Sequence, residues 1–361
     1  MEDMVNLNLS FWSGKKVLIT GHTGFKGSWL MIWLKSLNAE VYGFSLDPDA
    51  DLNLFSSIPK EFISENIHHY IGDIRDKSSL NKIIKKFKPD IVFHLAAQAL
   101  VKRGYQEPLF TWETNVIGSL NLLEIIKENN YPCSIVIVTT DKVYKNNEWI
   151  YGYREVDQLG GYDPYSASKA ALEIAVSSWR DSFCNPKINN IKIATARAGN
   201  VIGGGDWAAN RIIPDAIRSL MAKNDLIIRN PNSTRPWQHV LEPLWGYMLL
   251  AKSLYLNHEG FCEPFNFGPQ IQSNRTVKEV VEKIFQVWPG TYIFKNDEDN
   301  HHEAERLYLQ IDKVYQKLNW QPKIGFEKSI EKTTLWYKDF FEGQSSLDCC
   351  QKDINFYQEL L

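Results

Sequence analysis

The sequence has no long run of Lys or Arg, no C-x-x-C pair, no internal repeat and no stretch of about 20 consecutive apolar residues. Each absence removes a class of function. The 40 Lys and Arg are outnumbered by 43 Asp and Glu, giving a formal net charge of -3. Without a basic footprint, nucleic acid is not expected as a partner. Without an apolar span, no membrane helix is expected. The N-terminal MEDMVNLNLSFWSG carries acids and no signal-like segment, so the expected location is cytoplasmic. The 5 cysteines (Cys133, Cys184, Cys262, Cys349, Cys350) are odd in number and scattered, which fits reduced thiols rather than a disulfide framework. His301, His302 and Glu303 invite a metal, but adjacent histidines diverge and no second ligand cluster supports them, so none is expected.

What is present points to an α/β protein. A chain of 361 residues with 44% hydrophobic content is long enough for one large α/β domain carrying a second lobe. Short apolar runs at 16–20, 39–46, 68–73, 90–97, 134–140 and 191–199 alternate with helical stretches at 28–37, 78–87, 109–127 and 165–183. That alternation predicts a doubly wound parallel sheet, Rossmann-like, covered on both faces. Residues 200–236 change texture and read as an excursion into a smaller lobe. HVLEPLWGYMLLAKSL then resumes as an apolar helix, and PFNFGP (264–269) reads as a further strand. The expected division is a cofactor domain of 1–199 plus about 237–269, and a substrate lobe of about 200–236 plus 270–361. The tail after about 345 is the least legible part.

Directly after the first strand, Gly21, Gly24 and Gly27 stand three apart and open a helix. Such a turn lets backbone N–H groups approach a pyrophosphate at a helix N-terminus. About twenty residues on, Asp47 closes the second strand, with no Arg from Glu40 to Asp51. An acid there accepts from a ribose diol and repels a 2′-phosphate, favouring NAD over NADP. Asp73, closing the third strand, meets the adenine edge; alternatively Asp73 or Asp76 caps a helix. Tyr165 and Lys169 form a Y-x-x-x-K pair on one helix face. A cation beside a phenol is expected to lower its pKa, making Tyr165 a general base on a sugar hydroxyl. Arg211, Arg229 and Arg235 offer forks for a diphosphate.

The glycine loop, HLAAQ (94–98), TTDK and YSASK together resemble the extended short-chain dehydrogenase/reductases. Within them GHTGFKGSWL, GDIRD, VFHLAAQ, TTDKVY, GGYDPYSASK, RAGNVIGGGDW and RPWQHVLEPL are similar to segments of the CDP-glucose 4,6-dehydratases, over about residues 11–336. The resemblance implies NAD contacts at Gly21, Thr23, Gly24, Phe25, Lys26, Gly27, Asp47, Asp73, Ile74, Ala96, Ala97, Gln98, Asn115, Thr139, Tyr165 and Lys169. It implies an oxidation triad of Thr140, Tyr165 and Lys169, and elimination by Asp141 and Lys142. Related dTDP-glucose dehydratases carry Asp-Glu at those two positions, so Lys142 acts as a base or as a cation beside an enolate. Asn200, Arg211, Arg235 and His239 would hold a nucleotide sugar, CDP-glucose in particular, with Trp207 and Trp237 flanking. Where the family has an Arg after HLAAQ-x-L-V, this chain has Lys102, followed by Arg103. A homodimer is also implied. A nucleotide-sugar 4-epimerase shares the turn and the Tyr/Lys pair but needs no dehydrating acid and base. A non-catalytic NAD-binding scaffold shares the fold alone.

Overall fold

The computed structural model describes residues 9–48, 52–184, 189–256, 260–295 and 306–361. His301, His302 and Glu303 lie outside them. Among the described residues no three His, Cys, Asp or Glu side chains gather as a metal site, and no helix is long and apolar enough to cross a membrane.

All six expected strands of the first 200 residues form: β1 (Lys16–Thr20), β2 (Glu40–Ser45), β3 (Ile67–Ile71), β4 (Ile91–His94), β5 (Cys133–Val138) and β6 (Ile191–Arg197). Pro264–Asn266 supplies β7. They make one sheet in the order β7-β6-β5-β4-β1-β2-β3, every pairing parallel. The order reverses between β1 and β4, so the loops after these strands part there and leave a crevice at their C-terminal ends. At that edge Thr20 and His94 are register partners, joined by a hydrogen bond of 2.7 Å between Oγ1 and Nδ1.

The longer helices, of eleven residues or more, are α1 (Phe25–Ser36), α2 (Lys77–Phe87), α3 (Ser119–Asn129), α4 (Pro164–Phe183), α5 (Ile212–Ala222), α6 (Leu241–Tyr255), α7 (Val277–Val287), α8 (Phe326–Phe341) and α9 (Ser346–Glu359). Every residue of α1 from Gly27 to Leu34 is buried. Such an all-round apolar helix must be covered on all sides. Both α6 and the C-terminal α9 pack on it, with Trp33 stacked on Trp245 at 6.0 Å and edge-on to Tyr357 at 5.6 Å. The poorly legible tail therefore supplies one wall of the core under the glycine loop.

Three local readings differ. The helix expected over 109–127 is interrupted by a π-helical turn at Glu113–Gly118, which carries the buried Asn115. Short helices at Leu54–Ser57, Lys60–Asn66 and Val101–Gln106 were not anticipated, because fewer than two turns leave little periodicity to read. The helix after 236 starts at Leu241, since Gln238–His239 first pairs with Val201–Ile202. Further short pairings join Thr234–Pro236 to Asn274–Thr276 and Leu226–Ile228 to Tyr292–Phe294.

Glu242, in the first turn of α6, ties three segments together. Its Oε1 accepts from the backbone N–H groups of Lys323 (2.7 Å) and Ile324 (2.5 Å), and its Oε2 from the Tyr357 hydroxyl (2.7 Å). Burial pushes its pKa up from an ordinary 4.5 to about 7. A carboxyl raised in this way binds its proton more tightly folded than unfolded. Its contribution is full below about pH 4.5 and is lost as pH rises through 7, about 3 kcal/mol in all. Glu242→Gln keeps an acceptor for both N–H groups, so the variant is expected to lose this slope and to melt above the wild type at pH 8. Calorimetry of both proteins from pH 5 to 8 checks it; parallel Tm curves would show that Glu242 does not titrate.

Candidate active site

One cleft of 1970 Å³ runs along the C-terminal ends of the strands. Single-ligand pockets are typically about 300–1,000 Å³, so the space suits two ligands side by side. Its walls carry Asp47 and Asp73 toward the β2–β3 side, and Arg211, Arg218, Arg229 and Arg235 among the segments that follow β6.

The glycine loop forms the floor. Gly21 has φ +78°, and a Cβ there would lie 2.7 Å from the Ala96 nitrogen. A Cβ on Gly27 would lie 2.1 Å from the Gly21 carbonyl oxygen, so both positions exclude any side chain. Gly24 caps α1 without a side-chain hydrogen bond and with no acid in the first turn, leaving N–H groups directed to an incoming anion. Thr23 fixes the loop by donating to the Leu46 carbonyl at 2.9 Å and bonding Ser45 Oγ at 2.7 Å. Phe25, Lys26, Asp47 and Ile74 all line the cleft. Asp73 lines it too, and is gripped by Arg75 at 2.6 Å, whose hydrogen bonds hold the carboxyl below its ordinary pKa. Asp76 is the helix cap, accepting from the Ser78 and Ser79 N–H groups. These residues fit a dinucleotide with free ribose hydroxyls: a loop that admits no Cβ, uncapped N–H groups and an exposed acid at the end of β2.

Ala96, Ala97 and Gln98 form the opposite wall. The Gln98 side chain is occupied within its own loop, donating to the Leu100 carbonyl and Thr111 Oγ1 and accepting from the Leu100 N–H. Asn115, expected at the cofactor, instead lies behind this wall with no exposed surface. It accepts from the Gln98 N–H at 2.8 Å and donates to Ser168 Oγ at 2.9 Å, bracing the loop against α4.

Thr139, Thr140, Asp141 and Lys142 follow β5, the last three through a 3-10 turn. Thr140 Oγ1 donates to Asp141 Oδ1 at 2.9 Å, and Asn200 Nδ2 to Asp141 Oδ2 at 3.4 Å. The Asp141 carboxylate fills a notch over Gly199, where a Cβ would lie 1.9 Å from Oδ2. Asp163 caps α4 by accepting from the Ser166 N–H at 3.0 Å, and Pro164 occupies the first helical position. That cap aims Tyr165 and Lys169 into the cleft beside Thr140, which is hydrogen-bonded to Tyr165. Lys142 stands half-buried on the wall.

The expected depression of the phenol does not occur. Burial dominates and pushes Tyr165 up to about 12; the Thr140 hydrogen bond and the Arg211 charge oppose it, while Asp141 and Asp163 add to it. Lys169 donates to the Val138 carbonyl at 3.3 Å, and is itself lowered to about 8 by burial and by Lys26, against Glu173. Lys26 is lowered to about 8 by burial and by Arg211, with Asp141 and Asp206 opposing.

Arg211 reaches closer to Tyr165 and Lys26 than the sequence suggested. Asp206 holds it at 2.7 Å, and its charge is felt at both Tyr165 and Lys26. Asp206 was not singled out from sequence; its place in GGGDW, five residues before Arg211, was the available signal. Arg235 lines the cleft and donates to the Thr234 carbonyl at 2.7 Å; Asn200 lines it in a left-handed turn at φ +49°. Trp207 and Trp237 are also on the wall. His239, expected at phosphate or ribose, lies in the core with no exposed surface, edge-on to Trp29 at 6.1 Å. Burial and then Lys332 lower it to about 3, so it is neutral and carries no charge for a phosphate. The pairing of Gln238–His239 with Val201–Ile202 draws it inward.

Fold and site together define a dinucleotide-dependent enzyme of the extended short-chain type. A family model described as GDP-mannose 4,6 dehydratase matches residues 18–333, and the chain belongs to that family. It is 44% identical to the CDP-glucose 4,6-dehydratase of Salmonella typhimurium over 355 residues, which is 97% of this chain and 98% of that one. Among solved structures, an epimerase from Methanothermobacter thermautotrophicus superposes with TM-score 0.79 at 24% identity, covering 94% of this chain and 96% of that one. A dTDP-glucose 4,6-dehydratase from Bacillus anthracis in complex with NAD gives 0.76 at 23%, covering 92% and 100%. At these identities the structural matches speak for the fold.

Proposed function

We propose that the protein is an NAD-dependent nucleotide-sugar 4,6-dehydratase that converts CDP-glucose to CDP-4-keto-6-deoxyglucose. The observation that carries the reading is that Thr140 and Asp141 meet Tyr165 in a cleft whose wall also carries Lys142 and Lys169. The 44% identity to a CDP-glucose 4,6-dehydratase over nearly the whole chain supports the substrate. We take 1–199 plus about 237–269 as the cofactor domain and about 200–236 plus 270–345 as the substrate lobe; α9, expected in the lobe, packs on α1 of the cofactor domain instead.

NAD, when bound on the glycine loop, supplies the reversible two-electron oxidation of carbon. Tyr165 accepts the proton of the sugar 4-hydroxyl, and Thr140 orients that hydroxyl. The resulting ketone acidifies the hydrogen on C-5. Lys142 as the free amine takes that proton, or as a cation stabilises the enolate while a water takes it; Asp141 in its acid form hands a proton to the departing 6-hydroxyl, and the two electrons removed at C-4 return to C-6 as C-5 regains a proton from solvent. Arg211 and Arg235 hold the diphosphate. A 4-epimerase would leave Asp141 and Lys142 without work.

The test is turnover of the protein with NAD on glucose linked to CDP, dTDP, UDP or GDP in deuterated water, read by mass. Loss of water with one deuterium gained, best on CDP-glucose, is expected. Epimerised sugar without loss of water would replace this reading, and no turnover on any of the four would remove the substrate.

The reading extends to a homodimer. Leu109 (77% exposed), Ile117 (54%) and Ile174 (61%) stand on the outer surfaces of α4 and of the neighbouring helical segment at 108–118. Ile174→Asp is expected to shift the sedimenting species to a monomer; an unchanged dimer would place the interface elsewhere.

A further inference from the structure

Positions 165, 169 and 173 recur every four residues along α4, so Glu173 continues the face that carries Tyr165 and Lys169. Glu173 is only 2% exposed. Its carboxylate accepts four hydrogen bonds: from Thr139 Oγ1 at 2.6 Å, Thr195 Oγ1 at 2.7 Å, and Arg197 Nε and Nη2 at 3.0 and 2.9 Å. The donors come from the ends of β5 and β6, and Thr139 directly precedes Thr140 and Asp141. Arg197 in turn donates through Nη1 to the Tyr144 hydroxyl at 2.7 Å and the Glu155 carbonyl at 3.2 Å, and the Tyr144 hydroxyl donates to Asn266 Oδ1 at 2.8 Å. Every arm of the network is satisfied, as a buried polar cluster requires if it is to rigidify rather than strain its surroundings.

The charges make the arrangement more than a brace. Burial alone would raise the Glu173 carboxyl, but Arg197 and the hydroxyl donors hold it low, so it is an anion. The groups that act on or feel Lys169 are Lys26 from α1, His94 from β4 and Glu173 from its own helix, with Tyr165 one turn earlier. His94 is neutral because burial lowers it to about 3. Of these, only Glu173 favours the Lys169 ammonium.

We propose that Glu173 is a positioning residue that locks the Tyr165–Lys169 face of α4 to the Thr139–Asp141 strand end and supplies the counter-charge for the Lys169 ammonium. It touches neither substrate nor cofactor and acts on both half-reactions through others. The proposal rests on the dehydratase reading only for its effect on turnover; the charge it assigns to Lys169 is a property of the folded chain.

The test follows the Lys169 amine by NMR of lysine-labelled full-length protein, the signal being assigned by its loss in Lys169→Met. In Glu173→Gln the amine is expected to titrate about one pH unit lower than in the wild type. Turnover of CDP-glucose is expected to fall by about tenfold or more, with its pH profile displaced in the same direction. Glu173→Asp keeps the charge and the Arg197 partner, so it is the second variant should Gln not fold; it is expected to fall between the two. An unmoved Lys169 titration in folded Glu173→Gln overturns the proposal, as does a displacement of a full pH unit in Glu173→Asp, which keeps the charge. A displaced titration in a protein whose wild type does not dehydrate CDP-glucose supports the role of Glu173 and removes the substrate reading instead.

Discussion

Tyr165→Phe is expected to lower kcat by about 10²–10⁴-fold while leaving the fold intact. The phenol meets Thr140 and lines the cleft where the 4-hydroxyl would sit, and Phe retains its ring packing. Thr140 keeps its bond to Asp141, so no buried donor is stranded. Burial holds the phenol up at about 12 in the free protein. The deprotonated fraction therefore grows with pH throughout the neutral range, and wild-type kcat/KM is expected to rise with pH there. Any further positive charge brought by the ligands moves that rise to lower pH. Steady-state rates from pH 6 to 10, with Tm measured alongside, decide the matter. A folded Tyr165→Phe protein that keeps its rate to within about tenfold would mean that another group takes the proton.

The second large effect is expected at the 3-10 turn after β5. Lys142→Met keeps the length of the side chain and removes the ammonium, and should cost about 10²–10³-fold in dehydration. The loss should fall on the elimination, since Lys142 follows Asp141 directly and both stand on the cleft wall. Lys142→Arg separates the two roles left open above, since a guanidinium keeps the positive charge and cannot act as a base near neutral pH. If Lys142 takes the C-5 proton, Arg is as slow as Met; if it stabilises the enolate as a cation, Arg recovers much of the rate. A Lys142→Met enzyme with the wild-type dehydration rate would leave the residue as a solvated end of the turn and assign the elimination to other groups.

Much of this was legible because the signals were local. The alternation of apolar runs fixes the parallel sheet, and the strands from Lys16 to Arg197 fall within a residue or two of the expected positions at most ends. Gly27 is explained by contacts within its own turn and Gly21 by its positive φ, with the Leu95–Ala96 backbone after β4 closing over it; the spacing of the glycines is local even though that last contact is not. Tyr165 and Lys169 need only a helix to share a face.

Other features were settled by distance along the chain. Asn115 and His239 carry polar side chains in segments that resemble a binding site, yet a π-helical turn and a two-residue pairing carry them behind the wall and into the core. The Tyr165 phenol is raised rather than lowered because burial outweighs any nearby cation, and burial is set by everything packed around it. Glu173 meets Arg197 across 24 residues, and Glu242 meets Tyr357 across 115. Sequence by itself determined the class of fold, the cofactor turn and which side chains are candidates to react, since periodicity and short spacings suffice for those. Tertiary structure alone decided which polar groups face the cleft and what charge they carry, because desolvation and ion pairing depend on neighbours remote in the chain.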